Sequence, residues 1–278
     1  MHRSTVLLAT PLLALAAFVG YATVDARTPR ATIAGAGQLV ARDEGDELAA
    51  LERAPSALPE RTVRAPAITE AVEQLGPSAR EVGVVALDPA DAWARLSTNA
   101  AGTYIGDILH ERGAALARWG DRRADPIRLW IAEGNALDGW QPTDAETVRD
   151  AFDEWATIGL PVRFVLVRDS TSADVRVTWV RGFDEPINGR TVWTRDANYW
   201  IHGADVVLAL HHRHGPRLDS AQLRAIALHE AGHVLGLDHA AQAKHIMSAQ
   251  VRARSLTDAD HATARLLYSV PAGRVAAP

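Results

Sequence analysis

The sequence predicts an α+β fold, a mixed sheet packed against helices, and three observations carry that prediction. Short runs enriched in β-branched residues, bounded by Pro, Asp, Ser and Gly, recur across residues 127–210. Two longer stretches, 142–159 and 220–236, read as helices, and a third closes the pattern at 256–268. From Pro126 onward the order is strand, helix, three or four strands, helix, histidine-rich loop, helix.

Each element has its own local reason. IRLWI, residues 127–131, reads as the first strand. In PTDAETVRDAFDEWATIG, Thr143 with Glu146 offers a capping box, Val148, Ala151, Phe152 and Trp155 form the apolar stripe, and Gly159 stops the helix. VRFVLV (162–167) and ADVRVTWV (173–180) follow as strands; in the second, Val175, Val177 and Trp179 face one way while Arg176 and Thr178 face the other. GRTVWTRD (189–196) and WIHGADVVLAL (200–210) give two more. SAQLRAIALHEAGHVLG is the second long helix with Ser220 as its cap, and LTDADHATARLLY is capped by Thr257, with Ala259, Ala262, Leu266 and Leu267 as core positions.

The N-terminal part is less regular. Residues 1–26 place His2 and Arg3 before an apolar run at 6–19, the pattern of an export signal. That run is short for a span of roughly 20 residues, although residues 20–24 extend it toward an uncleaved anchor, and a buried helix is the third reading. Residues 27–65 are rich in Ala, Arg, Glu, Asp and Pro and read as a linker with one weak helix at 43–53. Residues 66–125 hold the run VGVVAL and a helical pattern in TYIGDILHERGAALARW, so they form an N-terminal region or a propeptide. Residues 126–270 form the regular domain and 271–278 a tail.

Composition narrows the chemistry. With 278 residues and 47% hydrophobic content, the chain affords a sizeable core. A net charge of −5 offers no basic stripe for nucleic acid. The absence of cysteine removes disulfides, thiol nucleophiles and thiolate metal sites, leaving His, Asp and Glu as the ligands for a transition metal.

HEAGHVLGLDHAAQAKHIM, residues 229–247, supplies such ligands. His229 and His233 lie four apart on one helix face, so both imidazoles reach one ion. Glu230, beside the first ligand, is directed toward a metal-bound water, where a carboxylate accepts a proton. Gly236 permits the left-handed turn that brings His239 back as the third nitrogen. Three neutral ligands leave a zinc one open tetrahedral position, the arrangement of a hydrolytic rather than a structural site. Met247 gives the ligands an apolar floor. Other histidines, among them His2, His110, His245 and His261, read as surface or capping residues, and His211, His212 and His214 as a solvated loop, with metal binding as the alternative.

HEAGHVLGLDH with the later Met247 resembles the metzincin metallopeptidases. The LDH after the glycine, the Met spacing and the terminal LTDADHATARLLY narrow the resemblance to the matrixin branch, the matrix metalloproteinases and their bacterial relatives. The likeness covers residues 127–268. It implies a mostly parallel twisted sheet with an antiparallel edge strand, packed against a long helix and the active-site helix, plus a C-terminal helix. It further implies zinc held by His229, His233 and His239, Glu230 as general base, and Met247 as the Met-turn residue of a secreted zinc endopeptidase.

The resemblance also suggests GRTVWTRD as the edge strand that pairs with an extended polypeptide substrate, with a buried structural strand as the alternative reading of the residues. The expected partners are a polypeptide substrate and no nucleic acid, with membrane contact only through an N-terminal anchor and a monomeric state. Two departures stand out. Ala249 occupies the place where matrixins usually carry Pro after the turn Met, and no cysteine exists for a thiolate latency switch, leaving steric cover or an acid such as Asp107. A structural calcium or second zinc, common in animal members, finds no His and Asp alternation in GFDEPINGRTVWTRDANYWIHGAD. The competing functions are a zinc amidase and a non-catalytic peptide- or protein-binding module on the same fold.

Overall fold

The computed structural model describes residues 67–75 and 87–276. The expected export signal or anchor (1–26), the expected linker (27–65) and most of VGVVAL lie outside the described residues. In chain order the elements are β1 (Ala67–Leu75), α1 (Pro89–Thr98), α2 (Ile105–Glu111), β2 (Ala115–Leu116), β3 (Arg122–Ile131), α3 (Pro142–Ala156), β4 (Val162–Leu166), β5 (Val175–Val180), β6 (Gly189–Arg195), β7 (Ile201–Ala209), α4 (Ser220–Val234), β8 (Gln250–Val251), α5 (Asp258–Tyr268) and β9 (Gly273–Arg274).

Among the described residues, seven strands form one sheet in the order β4-β3-β5-β7-β6-β1-β8. The first four are mutually parallel, β6 runs antiparallel to β7, β1 runs parallel to β6, and β8 is antiparallel to β1. This is the mixed, mostly parallel α+β sheet expected. Its alternation is clear in β5, where Val175, Val177 and Trp179 are buried and Arg176 and Thr178 are half-buried. Trp119, Phe152, Trp155 and Trp193 are each at most 1% exposed. Burying a large apolar side chain of this kind contributes about 1.5–3 kcal/mol.

Several boundaries differ from the expectation for physical reasons. The first long helix begins at Pro142, whose fixed φ and missing N–H suit the first helical position. Its capping box is therefore Gln141 with Asp144, not Thr143 with Glu146. On α4 the cap is Asp219, boxed with Gln222, one residue before Ser220. Thr257 caps α5 as expected, and Asp260 completes its box. β3 starts at Arg122, and its ladder with β4 shifts register across Pro126 before resuming at Ile127.

The helix anticipated across 103–119 stops at Glu111. Gly113 and Ala114 adopt left-handed φ of 57° and 60°, and the chain turns into β2, which pairs with β9. The largest departure concerns β6. Within residues 126–270 it is the outer antiparallel strand, but β1, from the N-terminal region, lies along it from Thr69–Gly189 to Leu75–Arg195. No helix among the described residues is long and apolar enough to cross a membrane.

Candidate metal centre

α4 carries the first two histidines on a helix whose second half is almost wholly buried. Its end follows a Schellman pattern: Gly236 N–H donates to the His233 carbonyl at 2.9 Å and Leu237 N–H to the Gly232 carbonyl at 3.0 Å. Gly236 has φ of +95°, and a Cβ there would lie 2.1 Å from the Ala117 carbonyl oxygen. Both the torsion and the close approach require glycine. Two last-turn carbonyls are also covered, that of Val234 by Trp119 Nε1–H (2.8 Å) and that of Leu235 by the Tyr268 hydroxyl (3.0 Å).

One nitrogen of each of His229, His233 and His239 lies within 4.8 Å of the others. The ring centroids are 4.6, 4.9 and 5.4 Å apart. His229 Nδ1 contacts the Ile246 carbonyl at 2.7 Å and His233 Nδ1 the Leu237 carbonyl at 2.9 Å. A carbonyl only accepts, so each Nδ1 carries the proton and each Nε2 is left with its lone pair. Nε2 of His233 and of His239 is buried with no hydrogen-bond partner. Burial, reinforced by the neighbouring histidines, holds the His229 and His233 pKa values well below the usual imidazole range; burial also lowers His239, against the opposing pull of Asp238. Three neutral, converging imidazoles, with orphaned buried nitrogens on His233 and His239, are the donor set that a single zinc ion requires. The residues present therefore fit zinc. Among the described residues this is the one group of three or more His, Asp or Glu side chains placed to hold a metal, and His211, His212 and His214 are not part of it.

Glu230 is fully buried, and its Oε2 accepts from Thr191 Oγ1 at 2.5 Å. Gly189, also on β6, allows this approach, since a Cβ there would lie 2.3 Å from Glu230 Oε1. Met247 is fully buried under α4, with its Sδ packed where a Cβ on Gly232 would lie 2.3 Å away. The loop carrying it is tied to α5: buried Asp260 accepts from Ile246 N–H at 3.2 Å, from Thr257 N–H at 2.7 Å and from the Tyr104 hydroxyl at 3.1 Å. Asp260 thus anchors the backbone at Ile246, the residue whose carbonyl orients His229. Trp155 braces the helix by donating to the Leu228 carbonyl at 2.8 Å.

Thr191, Gly189, Asp260 and Tyr268 carry no signal in the sequence for a role at the site, and Trp119 reads there only as an apolar position of the 103–119 pattern. Asp260 leaves only a capping signal, as the third residue after the Thr257 cap. His245, expected at a surface or cap, is buried and bonded through Nδ1 to Thr257 Oγ1 at 3.0 Å. His211 is buried, whereas the expectation was a solvated loop; its backbone bridges to that of Arg217. Asp107 accepts from Ala241 N–H at 2.9 Å, in the loop after His239. A cavity of 520 Å³ beside His239 is lined by Asp107, Ser248, Ala249 and Gln250 among others.

Fold and donor set together define a metzincin-type zinc metallopeptidase fold related to the matrixins. Residues 133–269 match the family model described as Matrixin. The chain is 31% identical over 149 residues to Metalloendoproteinase 1-MMP of Arabidopsis thaliana, covering 47% of this chain and 38% of that protein. It is 29% identical over 150 residues to Metalloendoproteinase 4-MMP of the same plant, covering 50% and 43%. The chain thus spans less than half the length of these curated relatives. Among solved structures, the crystal structure of myroilysin aligns with a TM-score of 0.37 at 12% identity, over 55% of this chain and 86% of that one.

Proposed function

We propose that this protein is an exported zinc metalloendopeptidase that hydrolyses polypeptides, with His229, His233 and His239 as ligands and Glu230 as general base. The observation that supports the reading is the convergence of three imidazoles on one point; the buried glutamate that follows the first of them in sequence accepts a hydrogen bond from Thr191. His229, His233 and His239 would hold zinc through their Nε2 atoms, and the ion would supply Lewis acidity to a carbonyl and a more acidic water. Glu230 accepts the proton of the attacking water on its carboxylate and returns it to the departing amine nitrogen as the C–N bond breaks. Thr191 holds one carboxylate oxygen so that the other keeps a fixed direction. Met247 and the Ile246 carbonyl keep the first histidine in place, and β6 offers its outer backbone groups to an extended chain.

Chelation is expected to abolish peptide hydrolysis, and zinc to restore it. Glu230→Gln is expected to keep stoichiometric zinc while turnover falls by about 10²–10⁴-fold. Undiminished hydrolysis by a zinc-loaded Glu230→Gln protein would falsify the assigned role; peptide binding without any product would favour a non-catalytic binding module.

The same reading makes β1, at the head of the N-terminal region 66–125, a built-in cover. β1 takes the backbone positions on β6 that an extended substrate needs. Its pairing with β8, immediately after the Met247 loop, closes the other side of that lane. No thiolate is involved, because the chain has no cysteine. Sequencing new N-termini during incubation of the full-length protein tests this: activity should rise as β1 is lost, and full activity of persistently intact protein would rule the cover out.

A further inference from the structure

We infer that Arg112 and Arg195 form a subsite for an acidic side chain on the half of β6 beyond Thr191, and that it selects peptides carrying Glu or Asp there. The inference rests on the reading that β1 lies in the substrate's lane.

β1 presents Ala71 opposite Thr191 and Glu73 opposite Trp193, and residues two apart in a strand share a face. The Glu73 carboxylate sits between the two guanidinium groups, 3.4 Å from Arg112 Nη1 and hydrogen-bonded to Arg195 Nε. The receptor is more enclosed than its occupant: the side chains of Arg112 and Arg195 are 9% and 15% exposed, that of Glu73 35%.

Both cations are held by groups other than Glu73. Arg112 lies 4.4 Å over the Trp193 ring and 2.8 Å from Asp238. Arg195 lies 3.9 Å over the Tyr199 ring and donates from Nη1 to the Asp196 carbonyl at 2.8 Å. Displacing β1 therefore leaves a formed fork rather than two loose side chains, and a planar guanidinium is the donor best matched to a carboxylate.

Charge points the same way. The 370 Å³ cavity here is lined by Arg112, Arg195 and Arg274 against Glu73, Glu111 and Asp238, three cations and three anions. Without Glu73 the balance is three to two. A bound peptide restores neutrality only by bringing a carboxylate of its own. Glu73 is the internal stand-in for that group.

The test uses the full-length, zinc-loaded protein carrying Glu73→Gln, which removes the internal carboxylate and keeps the strand. Fluorescently labelled AITEAVEQL, the sequence of β1, and its counterpart AITEAVQQL are titrated by anisotropy, and products are quantified in the same samples by mass spectrometry. The Glu peptide is expected to bind at least tenfold more tightly. Adding Arg195→Gln should reduce the ratio below twofold, while Arg195→Lys, which keeps the charge without the fork, should give an intermediate ratio. Equal binding of the two peptides, no binding of either, or an undiminished ratio in the Arg195→Gln protein overturns the subsite. Hydrolysis reports on the peptidase reading separately: a Glu preference without product removes that reading and leaves the subsite, and product without a Glu preference does the reverse.

Discussion

The histidine helix and the strand beside it contribute to the same centre by different physical routes. On α4 the decisive contacts are local. His229 and His233 are one turn apart, Gly236 reverses the chain three residues later, and His239 follows within the same short stretch. On β6 they are distant in sequence: Thr191 reaches Glu230 across 39 residues, and Ala71 pairs with Thr191 from the far N-terminal side. A local arrangement is fixed by helical period and one glycine torsion, whereas a cross-sheet arrangement depends on register and topology.

The largest expected effect lies on the distant side. Gly189→Ala forces Glu230 or β6 to move, because the new methyl would overlap Oε1. A displacement of about 1 Å at a reacting group costs on the order of 10²-fold. Steady-state peptide hydrolysis at verified zinc content should show a fall in kcat of that size with metal affinity nearly unchanged. If turnover survives intact, β6 does not position the glutamate.

Next comes the link between the two regions and α5. Asp260→Ala strips the Ile246 N–H, the Tyr104 hydroxyl and the Thr257 cap of their shared acceptor. Zinc affinity, read by competition with a chromophoric chelator, should weaken about 10-fold. Stability to urea should drop by about 2–3 kcal/mol, the cost of leaving buried donors unpaired. An unchanged zinc affinity would show that His229 needs no support from Ile246.

Val72→Pro removes one N–H and introduces a ring in the middle of β1, opposite Val192. Hydrolysis of an added peptide by the intact chain should rise by about 3–10-fold, since a tethered strand competes at an effective concentration in the millimolar range. A decrease would mean that β1 supports the centre instead of covering it. The smallest effect is expected for Met247→Leu, a swap of similar volume in a fully buried site. Thermal or urea unfolding should register a loss of less than about 1.5 kcal/mol, with kcat within a few-fold; a larger loss in kcat would assign the sulfur a role beyond packing.

The contrast explains what could be read from the sequence. The three ligands, the Gly236 turn and the order from Pro126 all follow from short-range periodicity. β1 was not legible: in AITEAVEQL the apolar Ile68, Val72 and Leu75 fall at helical spacing among helix-favouring Glu, Gln and Ala. Pairing with β6 and β8 overrides that preference. α1 was missed although Asp88 and Pro89 provide a cap and a first helical residue, because its buried face is only Ala92 and Leu96. Cap positions slipped by one or two residues where Pro142 and Asp219 offered better starts.

The bracing of the α4 terminus also sets a limit on maturation. Trp119 donates to the Val234 carbonyl, the Ala117 carbonyl abuts Gly236, and Arg118 N–H donates to the Tyr199 carbonyl at 3.3 Å. All three belong to the segment before Pro126 that the sequence assigned to an N-terminal region or propeptide, yet they close the helix end from which His239 departs. Any processing cut that discards β1 must therefore fall upstream of Ala115, where the chain joins β9. A cut further downstream would free β6 and, in the same event, unfasten the turn that delivers the third ligand.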